Sequence, residues 1–581
     1  MKLLTSLAAI VSVSEAFVLP AERLSSELST IEERQTADPE CVHGPQTRRC
    51  WSGGYSVATD FDLKHPETTV TRSYTLTITN STCNPDGNGE RLCQLINGQY
   101  PGPTITADWG DLLSIKIINK LEDNGTAIHF HGVRQLNTCG ADGVPGITQC
   151  PIAPGAEFTY LFRATQFGTS WYHSHFSNQY GDGVVGAMVF NGPATSNYDV
   201  DLGPYSLTDW YYATAFETSM QSMISLQTQG GPPKANNILI NGTNKNAAGG
   251  GAYNEVAITK GKKYRLRLIN MSVDQYMRVS LDGHKMTVMT SDFVPIKPYV
   301  TETLLIAIGQ RYDVIITANQ TAGSYFFRVD PAADCFAAND HFGRAIWTYS
   351  DVSPSTPPEN PWPVPTTQCL EPSEMAPYWK QAVPSNSFSS DVTRLNVNIT
   401  TGEFLPDPDT IVVWAIDDQN INVNWSRPTV SFVDEGDTDY TPEMHVMHLQ
   451  DEGKWNYYLI QQTGSAPPIP HPIHLHGHDF FVLGQGSTAW DGTATLNFAT
   501  PPRRDTATVP GGGWLAIAFP SNNPGTWLLH CHIAFHIGEG LGMQFIEEAG
   551  KIVKPHGYDE TCSSWRAYEK GMYYPKHDSG L

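Results

Sequence analysis

Residues 525–545 read GTWLLHCHIAFHIGEGLGMQF, in which Cys531 stands between two histidines and His536 follows a few residues later. An earlier stretch, residues 168–186, reads GTSWYHSHFSNQYGDGVVG and repeats this pattern with a serine in place of the cysteine. Imidazole and thiolate groups are ligands for transition metals. The two stretches therefore suggest a duplicated unit in which one copy carries an additional metal ligand.

A second pair of segments shows the same duplication. GTAIHFHG at residues 125–132 matches HPIHLHG at residues 471–477. Alignment of both pairs places three residues of the first unit opposite three candidate ligands of the last unit: Thr126 opposite His471, Ser174 opposite Cys531 and Gln179 opposite His536. The first and last parts of the chain are therefore predicted to be copies of one ancestral domain, and only the last copy has the full set of histidines and cysteine.

The rest of the chain has the patterning of an all-β protein. Runs rich in β-branched and aromatic residues, such as YTLTITN, LLSIKIIN, YRLRLIN and WLAIAF, alternate apolar with polar side chains between turn signals. The 581 residues include 50 glycines and 41 prolines, which suits turn-rich sheets better than a helical bundle. This pattern is typical of β-sandwiches or Greek-key barrels, and the chain is too long for one domain.

Three β domains are predicted from two boundary signals. NGPATSNYD at residues 191–199 marks the first boundary, and the segment SPSTPPENPWPVPTTQ marks the second because proline cannot sit inside a sheet. The middle domain has no H-x-H pair, so it is predicted to carry no metal ligand. The predicted divisions are a signal peptide at 1–16, a propeptide or N-terminal arm at 17–40, a first domain at 41–192, a second at 193–370, a linker at 371–394 and a third domain with a C-terminal tail at 395–581.

The N-terminus has the features of a secretory signal. Lys2 precedes an apolar run that starts at Leu3, and small residues around Ala16 fit a cleavage site. The polar stretch 17–40 is open to two interpretations, a propeptide that ends near Arg34 or a disordered arm. No later segment is apolar for long enough to span a bilayer. The mature protein is therefore predicted to be secreted and free of the membrane.

Sequons and net charge support this extracellular prediction. The formal net charge of −23 argues against nucleic acid or anionic membranes as partners. Attached glycans would mark a secreted protein. Seven N-x-S/T motifs follow the signal, at Asn80, Asn124, Asn241, Asn270, Asn319, Asn398 and Asn424.

Ten cysteines in an oxidising compartment should mostly form disulfides. The predicted pairs are Cys41–Cys50 and Cys83–Cys93 as local loops, Cys335–Cys369 before the third domain and Cys150–Cys562 between the C-terminal tail and the first domain. Cys531 is reserved as a metal ligand. Cys139 is left without a predicted partner, and it could compete with Cys150.

Ten of the 19 histidines fall in the four duplicated segments, and an eleventh, His478, directly follows one of them. Residues i and i+2 of a strand share one face, so each H-x-H pair directs two imidazoles the same way. Eight imidazoles with no carboxylate in the motifs favour a transition metal over calcium or magnesium. The four pairs are predicted to meet between the first and third domains, and they are His129 and His131, His173 and His175, His474 and His476, and His530 and His532.

The ligand candidates found only in the last unit are His471, Cys531 and His536. Two imidazoles and one thiolate form the trigonal set of a blue-copper electron-transfer site. Because Cys531 lies between two histidines of one strand, a few covalent bonds would connect its sulfur to the imidazole cluster. Zinc also binds histidine and cysteine, but H-E-x-x-H is absent and zinc needs no thiolate that joins two sites. His478 is interpreted as a residue that orients a neighbour.

The segments IHFHG, WYHSH, HPIHLHGH and HCHIAFHIGEGL resemble the four copper signatures of the multicopper oxidases. The resemblance runs from about residue 41 to the C-terminus, and its detail is similar to the secreted laccases of ascomycete fungi. It implies three consecutive cupredoxin-like Greek-key β-barrel domains. It also implies one-electron oxidation of phenols or aromatic amines, coupled to the four-electron reduction of dioxygen to water.

By this resemblance the chain would bind one type 1, one type 2 and two type 3 coppers. The implied ligands are His471, Cys531 and His536 for type 1, His129 and His474 for type 2, and His131, His173, His175, His476, His530 and His532 for the type 3 pair. Leu541 would take the axial position of the type 1 site without coordinating, which predicts a relatively high reduction potential. Met543 on the same strand face is the alternative axial group. His536 would be the entry point for electrons, exposed at the substrate pocket.

Further roles are implied by the same resemblance. Asp142 matches an acid that would hydrogen-bond near type 2 copper and help deliver protons, although a turn-forming Asp-Gly is the alternative. The tail, Asp578, Ser579, Gly580 and Leu581, is similar to one that plugs a solvent tunnel toward the trinuclear cluster, and a frayed tail is the alternative. The loop NKNAAGGGAYNE lacks the acid that accepts a phenolic proton in relatives, except for the nearby Glu255. Phenol oxidation is therefore expected to be less favourable at higher pH than at acid pH.

The leading hypothesis is a secreted, glycosylated, monomeric laccase with small aromatic substrates and dioxygen as its partners. Lignin attack, pigment synthesis and detoxification are its open biological roles. One alternative is a multicopper oxidase for ferrous iron, ascorbate or bilirubin, and acidic residues in the type 1 pocket would favour iron. The other is a non-catalytic copper-binding glycoprotein, which would hold copper without consuming oxygen.

Overall fold

The computed structural model describes residues 41–359, 368–404, 407–462, 464, 466–572 and 576–581. The predicted signal peptide and N-terminal arm lie outside these residues. The described chain contains six β-sheets in three pairs, and each sheet draws its strands from one of three consecutive parts of the chain. The all-β fold class is therefore confirmed, as three consecutive two-sheet units.

The first pair of sheets has the orders β2-β1-β4-β6 and β3-β8-β7-β5. Burial alternates strictly along LLSIKIIN in β4 and places every second side chain in the core. These side chains are Leu113, Ile115 and Ile117, which pack with Trp109 and Tyr160. The strands are β1 (Thr71–Cys83), β2 (Arg91–Ile96), β3 (Gly102–Asp108), β4 (Leu112–Asn119), β5 (Ile128–Phe130), β6 (Glu157–Arg163), β7 (Gly168–Ser174) and β8 (Val185–Asn191), with 3-10 turns at Cys139–Ala141 and Gln179–Asp182.

The second pair has the orders β10-β9-β12-β17-β14-β15 and β11-β19-β18-β13-β16. One helix interrupts it, and the hydroxyl of Thr214 caps that helix by accepting a hydrogen bond from the backbone N–H of Glu217. The elements are β9 (Val200–Trp210), α1 (Ala215–Gln227), β10 (Asn237–Ile240), β11 (Asn254–Ile258), β12 (Lys263–Asn270), β13 (Met277–Leu281), β14 (Met286–Ser291), β15 (Val294–Thr301), β16 (Leu304–Ile306), β17 (Arg311–Thr317), a 3-10 turn at Ala333–Cys335 that follows β18 (Ser324–Pro331), and β19 (Gly343–Tyr349).

The third pair has the orders β21-β20-β23-β28-β25-β26 and β22-β30-β29-β24-β27. Its elements are α2 (Phe388–Asp391), β20 (Val392–Phe404), β21 (Asp407–Ile416), α3 (Thr429–Glu435), β22 (Val446–His448), β23 (Trp455–Gln462), β24 (His471–Leu475), β25 (Phe480–Gly486), β26 (Arg503–Arg504), β27 (Thr506–Val509), β28 (Trp514–Pro520), β29 (Gly525–Cys531), α4 (Ala534–Gly538), β30 (Gly542–Glu547) and α5 (Tyr558–Glu569), with 3-10 turns at Pro442–Met444 and Ala549–Lys551.

Strand register supports the duplication that the sequence suggests. In the first unit β5 pairs antiparallel with β7, and His129 stands opposite His173. In the third unit β24 pairs antiparallel with β29, and His474 stands opposite His530. The residues that the alignment equates thus occupy equivalent positions in two equivalent strand pairs, so each unit presents two imidazoles from neighbouring strands.

The segment before the third pair of sheets is anchored to the first unit. The indole of Trp379 donates a hydrogen bond to the carbonyl of Val57 and packs edge-on against Phe61. Strand β20 begins at Val392, slightly before the predicted end of the linker at 394. These contacts tie the segment that leads into the third unit to the first unit.

The structure contains disulfides between Cys41 and Cys50, Cys83 and Cys93, Cys150 and Cys562, and Cys335 and Cys369. Cys139 and Cys531 are buried and unpaired. Cys139 therefore does not displace Cys150 in the fold. The bond between Cys150 and Cys562 ties α5, close to the C-terminus, to the first unit.

Of the seven predicted glycosylation sites, Asn270 is wrong. Its side chain is fully buried, and its amide donates hydrogen bonds to the carbonyls of Gln275 and Ile306. A glycan cannot reach this nitrogen in the folded chain. Asn80, Asn241, Asn319 and Asn424 are exposed, and Asn124 and Asn398 are partly exposed. Within the described residues, no helix is both long and apolar enough to cross a membrane.

Candidate metal centres

Three side chains from separate elements form a compact group in the third unit. His471 begins β24, Cys531 ends β29 and His536 lies in α4. The Sγ atom of Cys531 lies 3.6 Å from Nδ1 of His471 and 3.5 Å from Nδ1 of His536, and the two Nδ1 atoms are 3.2 Å apart. All three side chains are buried. Three electron-pair donors at these distances need a proton or a cation between them.

Burial favours the metal-binding form of the two imidazoles. It lowers the pKa of His471 to about 3, and burial together with the charge of His471 lowers the pKa of His536 well below its usual value. Both rings are therefore neutral at physiological pH and carry a free lone pair. With one thiolate, they supply a donor set that suits copper.

The protein around this group is largely apolar and firmly held. The ring of Trp414 lies 4.5 Å from that of His536, measured between centroids, and 5.0 Å from that of His471. Leu541 is fully buried, its backbone N–H donates to the carbonyl of His536, and its carbonyl accepts from the N–H of Cys531. Met543 is buried as well. Sequence reasoning missed Trp414, because a tryptophan in a β-strand carries no metal-site signal.

Eight further imidazoles converge in a buried cluster between the first and third units. The closest nitrogen pairs across the cluster are Nδ1 of His131 with Nε2 of His532 at 3.1 Å, and Nε2 of His476 with Nε2 of His530 at 3.3 Å. Groups with all ligand atoms within 4.8 Å of one another are His129, His131 and His173; His129, His474 and His476; His175, His476 and His530; and His131, His474 and Asp505.

Several ring nitrogens in the cluster have no hydrogen-bond partner within the described chain. They are Nε2 of His129, His173 and His474, and both ring nitrogens of His175. Buried polar atoms in native proteins almost always have a partner. Orphaned nitrogens that face one another in a shared space therefore fit a bound metal, and ten imidazoles with one thiolate fit copper.

Backbone carbonyls orient the rings by accepting hydrogen bonds from Nδ1–H. The carbonyl partners are Asp142 for His129 at 2.8 Å, Ser174 for His173 at 2.9 Å, Asp505 for His474 at 2.8 Å and Cys531 for His530 at 2.9 Å. Each such bond fixes the tautomer and directs Nε2 toward the centre of the cluster. Burial also lowers the pKa of His173, His474 and His530, so these rings are neutral.

Asp142 contacts two imidazoles of the cluster. Its Oδ2 accepts a hydrogen bond from Nδ1 of His476 at 2.8 Å, and its Oδ1 lies 3.2 Å from Nδ1 of His129. The following residue, Gly143, has φ of +80°, and a Cβ there would overlap the carbonyl of Ile128. The Asp-Gly pair is thus required by the turn, and it also delivers a carboxylate to the cluster.

Sequence reasoning missed Asp505 and Arg311, which flank the cluster. Oδ1 of Asp505 lies 3.3 Å from Nε2 of His131. Both of its oxygens accept hydrogen bonds from Arg311, at 2.7 and 2.6 Å, with both side chains fully buried. Gly309, two residues before Arg311, approaches the cluster so closely that a Cβ there would lie 3.0 Å from His131. The middle unit therefore contributes no ligand but closes one wall of the cluster.

In the first unit, the counterpart of the mononuclear group is filled by hydrogen bonds. The hydroxyls of Thr126 and Ser174 both donate to Oε1 of Gln179, at 2.6 and 2.7 Å. These are the three residues that the alignment places opposite His471, Cys531 and His536. The positions are conserved in space, but their side chains satisfy one another and leave no donor set for a metal.

A cavity of about 270 Å³ borders the mononuclear group. His536 lines it but is only 6% exposed, so the expectation of an exposed His536 is wrong: α4 and the residues around the cavity cover most of the ring. The cavity does contain acids, although they lie outside the loop in which relatives carry theirs. Asp274 and Glu539 line it, whereas Glu255 lies exposed in β11. Asp274 follows β12 and lies outside the loop at residues 244–255.

Asp274 is held in place by a second buried acid. The carboxylate of Asp209 accepts hydrogen bonds from the backbone N–H groups of Val273 and Asp274, both at 2.8 Å. The carbonyl of Val273 accepts from the N–H of Ala534, at the start of α4. Burial, and then the nearby charges of Asp209 and Glu539, raise the pKa of Asp274 well above its usual value. Asp274 is therefore a fixed group with raised proton affinity.

The tail is hydrogen-bonded rather than frayed. The hydroxyl of Ser579 donates to the carbonyl of Ile537 at 2.7 Å, and its carbonyl accepts from the N–H of Val423. The indole of Trp425 donates to the carbonyl of Gly580 at 2.9 Å. Leu581 is buried, and with imidazoles of the cluster it lines a small cavity. The tail thus reaches the edge of the histidine cluster.

Three models of protein families match the chain, and all three are described as multicopper oxidase. They cover residues 77–195, 202–351 and 407–551. A laccase of Neurospora crassa is 42% identical over 95% of this chain and 93% of its own length. Laccase-3 of Botryotinia fuckeliana is 49% identical over 77% of this chain and all of its own.

Two solved structures, of a laccase and of another multicopper oxidase, are also similar to this chain. The crystal structure of a laccase from Botrytis aclada is 41% identical, covers 93% of this chain and 100% of its own, and superimposes with a TM-score of 0.86. Fet3p, described as a multicopper oxidase that functions in iron import, is 25% identical, covers 88% of this chain and 98% of its own, and has a TM-score of 0.76. Both similarities extend through all three units.

Proposed function

The chain belongs to the multicopper oxidase family and is a laccase, and on that premise we propose how its residues divide the work. A laccase takes single electrons from phenols or aromatic amines and uses four of them to reduce dioxygen to water. Copper, when bound, supplies the one-electron redox chemistry that side chains lack. The observation that carries the proposal is the arrangement of ten buried imidazoles and one thiol in two groups joined by the segment His530–Cys531–His532.

We propose that the three-residue group binds type 1 copper and that the cluster binds the other three. The ligands are His471, Cys531 and His536 for type 1, His129 and His474 for type 2, and His131, His173, His175, His476, His530 and His532 for the type 3 pair. Leu541 is hydrogen-bonded through its backbone to His536 and Cys531. Its alkyl side chain could not donate to a copper held by this group, so a relatively high reduction potential is expected.

The electron route runs from His536 through Cys531 to the cluster. His536 lines the cavity where a donor can approach. Cys531 is covalently continuous with His530 and His532, and Nδ1–H of His530 donates to the carbonyl of Cys531. The path from thiol to cluster therefore consists of bonds within one strand, which fixes its length.

Two acids take part in proton transfer, one from the phenol and one to reduced dioxygen. Asp274 in the donor cavity accepts the proton that a phenol loses on oxidation. Asp142, hydrogen-bonded to His476, holds two imidazoles of the cluster in place and helps to deliver protons where dioxygen is reduced. The tail residues Asp578, Ser579 and Gly580 hold Leu581 at a side of the cluster, where Leu581 limits solvent access.

The proposal also covers the domain bounds, the location of the protein, its oligomeric state and a second candidate donor. The domains span 41–192, 193–370 and 395–581, joined across 371–394. The chain is secreted as a monomer and is glycosylated at the sequons other than Asn270. Ferrous iron is a second candidate donor, because Asp274 and Glu539 place two carboxyl groups beside His536.

The proposed function predicts both metal content and stoichiometry. Purified protein should contain about four coppers per chain, as the donor set requires. With 2,6-dimethoxyphenol as donor, one dioxygen should disappear for every four electrons withdrawn, without release of hydrogen peroxide. Elemental analysis and an oxygen electrode measure these quantities. Copper binding without oxygen uptake would contradict an enzymatic role, and faster turnover of ferrous iron than of any phenol would favour the second candidate.

Replacing Asp274 with asparagine should remove the pH dependence of phenol oxidation. The raised pKa of Asp274 means that its basic form appears only as the pH rises through that value. Because Asp274 supplies the cavity with a base, this replaces the expectation that phenol oxidation is less favourable at higher pH. In the wild type kcat/KM for phenols should increase with pH as Asp274 ionises, and loss of the base should lower it by about 100-fold. Steady-state rates from pH 3 to pH 8 measure the effect.

Hexacyanoferrate(II), which loses no proton, serves as the control donor and should be oxidised equally by both proteins. Although D274N should lose activity with phenols, its thermal stability should increase. A carboxyl with a raised folded-state pKa costs stability as the pH rises above its unfolded value of about 3.9. D274N should therefore unfold at a higher temperature than the wild type at pH 7. A phenol profile unchanged in D274N would exclude Asp274 as the proton acceptor.

A further inference from the structure

Glu539 is a buried acid that the electron and proton routes do not use. It is 1% exposed, lines the donor cavity, and its Oε1 makes no hydrogen bond within the described chain. Leaving a buried acceptor without a partner costs free energy. Such an atom inside a cavity therefore indicates a partner that arrives with the ligand.

Hydrogen bonds fix the backbone of Glu539 at the edge of the cavity. Its N–H donates to the carbonyl of Phe535 at 2.9 Å, and its own carbonyl accepts from the N–H of Trp414 at 3.0 Å. The residue follows α4, which carries His536. Its position relative to the electron entry point is thus set by the helix and by a neighbouring strand.

The opposite acid, Asp274, comes from the second unit and belongs to the same cavity. Both carboxyl-bearing residues line this one cavity together with His536. The other walls include Phe336, Trp414 and Ile533, which are apolar or aromatic. A volume of about 270 Å³ is below the roughly 300–1,000 Å³ of pockets for drug-sized ligands. The cavity suits a single aromatic ring with polar groups at two positions.

We propose that Glu539 is a substrate-binding residue, and that together with Asp274 it selects aromatic donors with two hydrogen-bond-donating groups, such as benzenediols and aminophenols. This inference rests on the proposed assignment of His536 and Asp274. One hydroxyl group faces Asp274, and the second hydroxyl or amino group donates a hydrogen bond to Glu539. A donor whose second group is methylated leaves Oε1 of Glu539 without a partner.

The oxidation step itself is unchanged by Glu539. The O–H bond of the first hydroxyl breaks, its proton goes to the carboxylate of Asp274, and one electron leaves the ring through His536. The product is a neutral aromatic radical. Glu539 keeps its hydrogen bond to the second group throughout, so it acts by binding and orientation rather than by proton transfer.

The test compares catechol with guaiacol, which differs from catechol by methylation of one hydroxyl group. Glu539→Met keeps the length of the side chain and removes its polar atoms, and Glu539→Gln keeps a hydrogen-bonding group. A site built to bond a substrate hydroxyl discriminates strongly against the analogue that lacks it. We therefore expect E539M to lower the catechol-to-guaiacol ratio of kcat/KM by about tenfold or more, mainly through a higher KM for catechol. E539Q should restore most of the ratio.

Two controls separate binding from damage. E539M should keep the blue absorption, because Glu539 is not among the proposed copper ligands and an apolar side chain of similar length replaces it. Glu443→Gln alters an acid that lines a different cavity and should leave the ratio unchanged.

Equal ratios in the wild type and E539M would overturn the inference, as would a ratio that E539Q fails to restore. Should E539M lose its blue absorption, E539Q alone decides: a ratio that stays near that of the wild type supports hydrogen bonding, and a collapsed ratio contradicts it. The proposed function fails separately. In that case the wild type itself would oxidise neither catechol nor guaiacol with uptake of oxygen.

Discussion

Replacing Cys531 with serine should abolish the intense blue absorption of the air-oxidised protein and almost all turnover of every donor. The thiolate is the ligand that gives a blue-copper site its character, and a serine hydroxyl cannot replace it. Loss of a ligand's hydrogen-bond partner already costs roughly 10- to 100-fold, so loss of the ligand itself should cost more. Visible spectroscopy and steady-state rates with hexacyanoferrate(II) measure both effects.

Two other residues of the chain, Ser174 and Cys139, help to interpret the effect of replacing Cys531. Ser174 occupies the equivalent position in the first unit, where its hydroxyl donates to Gln179 and no trigonal donor set exists. Cys139 is the other buried, unpaired cysteine. Cys139→Ser should keep the blue absorption and the rate. A blue C531S protein, or a colourless C139S protein, would show that the wrong thiol has been assigned.

Replacing Arg311 with methionine should produce the largest loss of stability. Arg311 pairs with both oxygens of Asp505 and lies 3.6 Å from Asp292, with all three side chains fully buried. Removing one partner of a buried ion pair leaves an uncompensated charge and costs about 3–5 kcal/mol. The free energy of unfolding, measured by chemical denaturation, should fall by that amount. Copper content should fall as well, because Asp505 contacts His131 and orients His474.

The matched control is Arg427→Met. Arg427 also pairs with two carboxylates, Glu435 and Asp437, but its side chain is 39% exposed. Exposed pairs contribute roughly 0–1 kcal/mol, so this variant should be nearly as stable as the wild type. Equal free energies of unfolding for R311M and R427M would contradict this prediction. They would show that the buried ion pairs of Arg311 stabilise the protein no more than the exposed pairs of Arg427.

The candidate ligands could be predicted from local sequence because each motif that contains them is local. Alternation along a strand directs both histidines of an H-x-H pair to one face and directs Cys531 to the other. The repeat between residues 168–186 and 525–545 identified the duplicated unit, and Thr126, Ser174 and Gln179 marked which copy lacks the mononuclear group. Turn-rich, alternating patterning was sufficient for the all-β fold class. The same reasoning failed at Asn270, because a sequon carries no information on burial.

The tertiary structure alone decided everything that depends on contacts between units. Asp274 enters the donor cavity from the second unit and Glu539 from the third, and Arg311 reaches Asp505 across almost two hundred positions of chain. The coverage of His536 also arises from this packing. Periodicity specifies the face on which a side chain lies, but the partner of that face is determined by how whole domains pack. The sequence by itself therefore determined which atoms can bind metal, and the packing of the three units determined which acids, walls and cavity surround them.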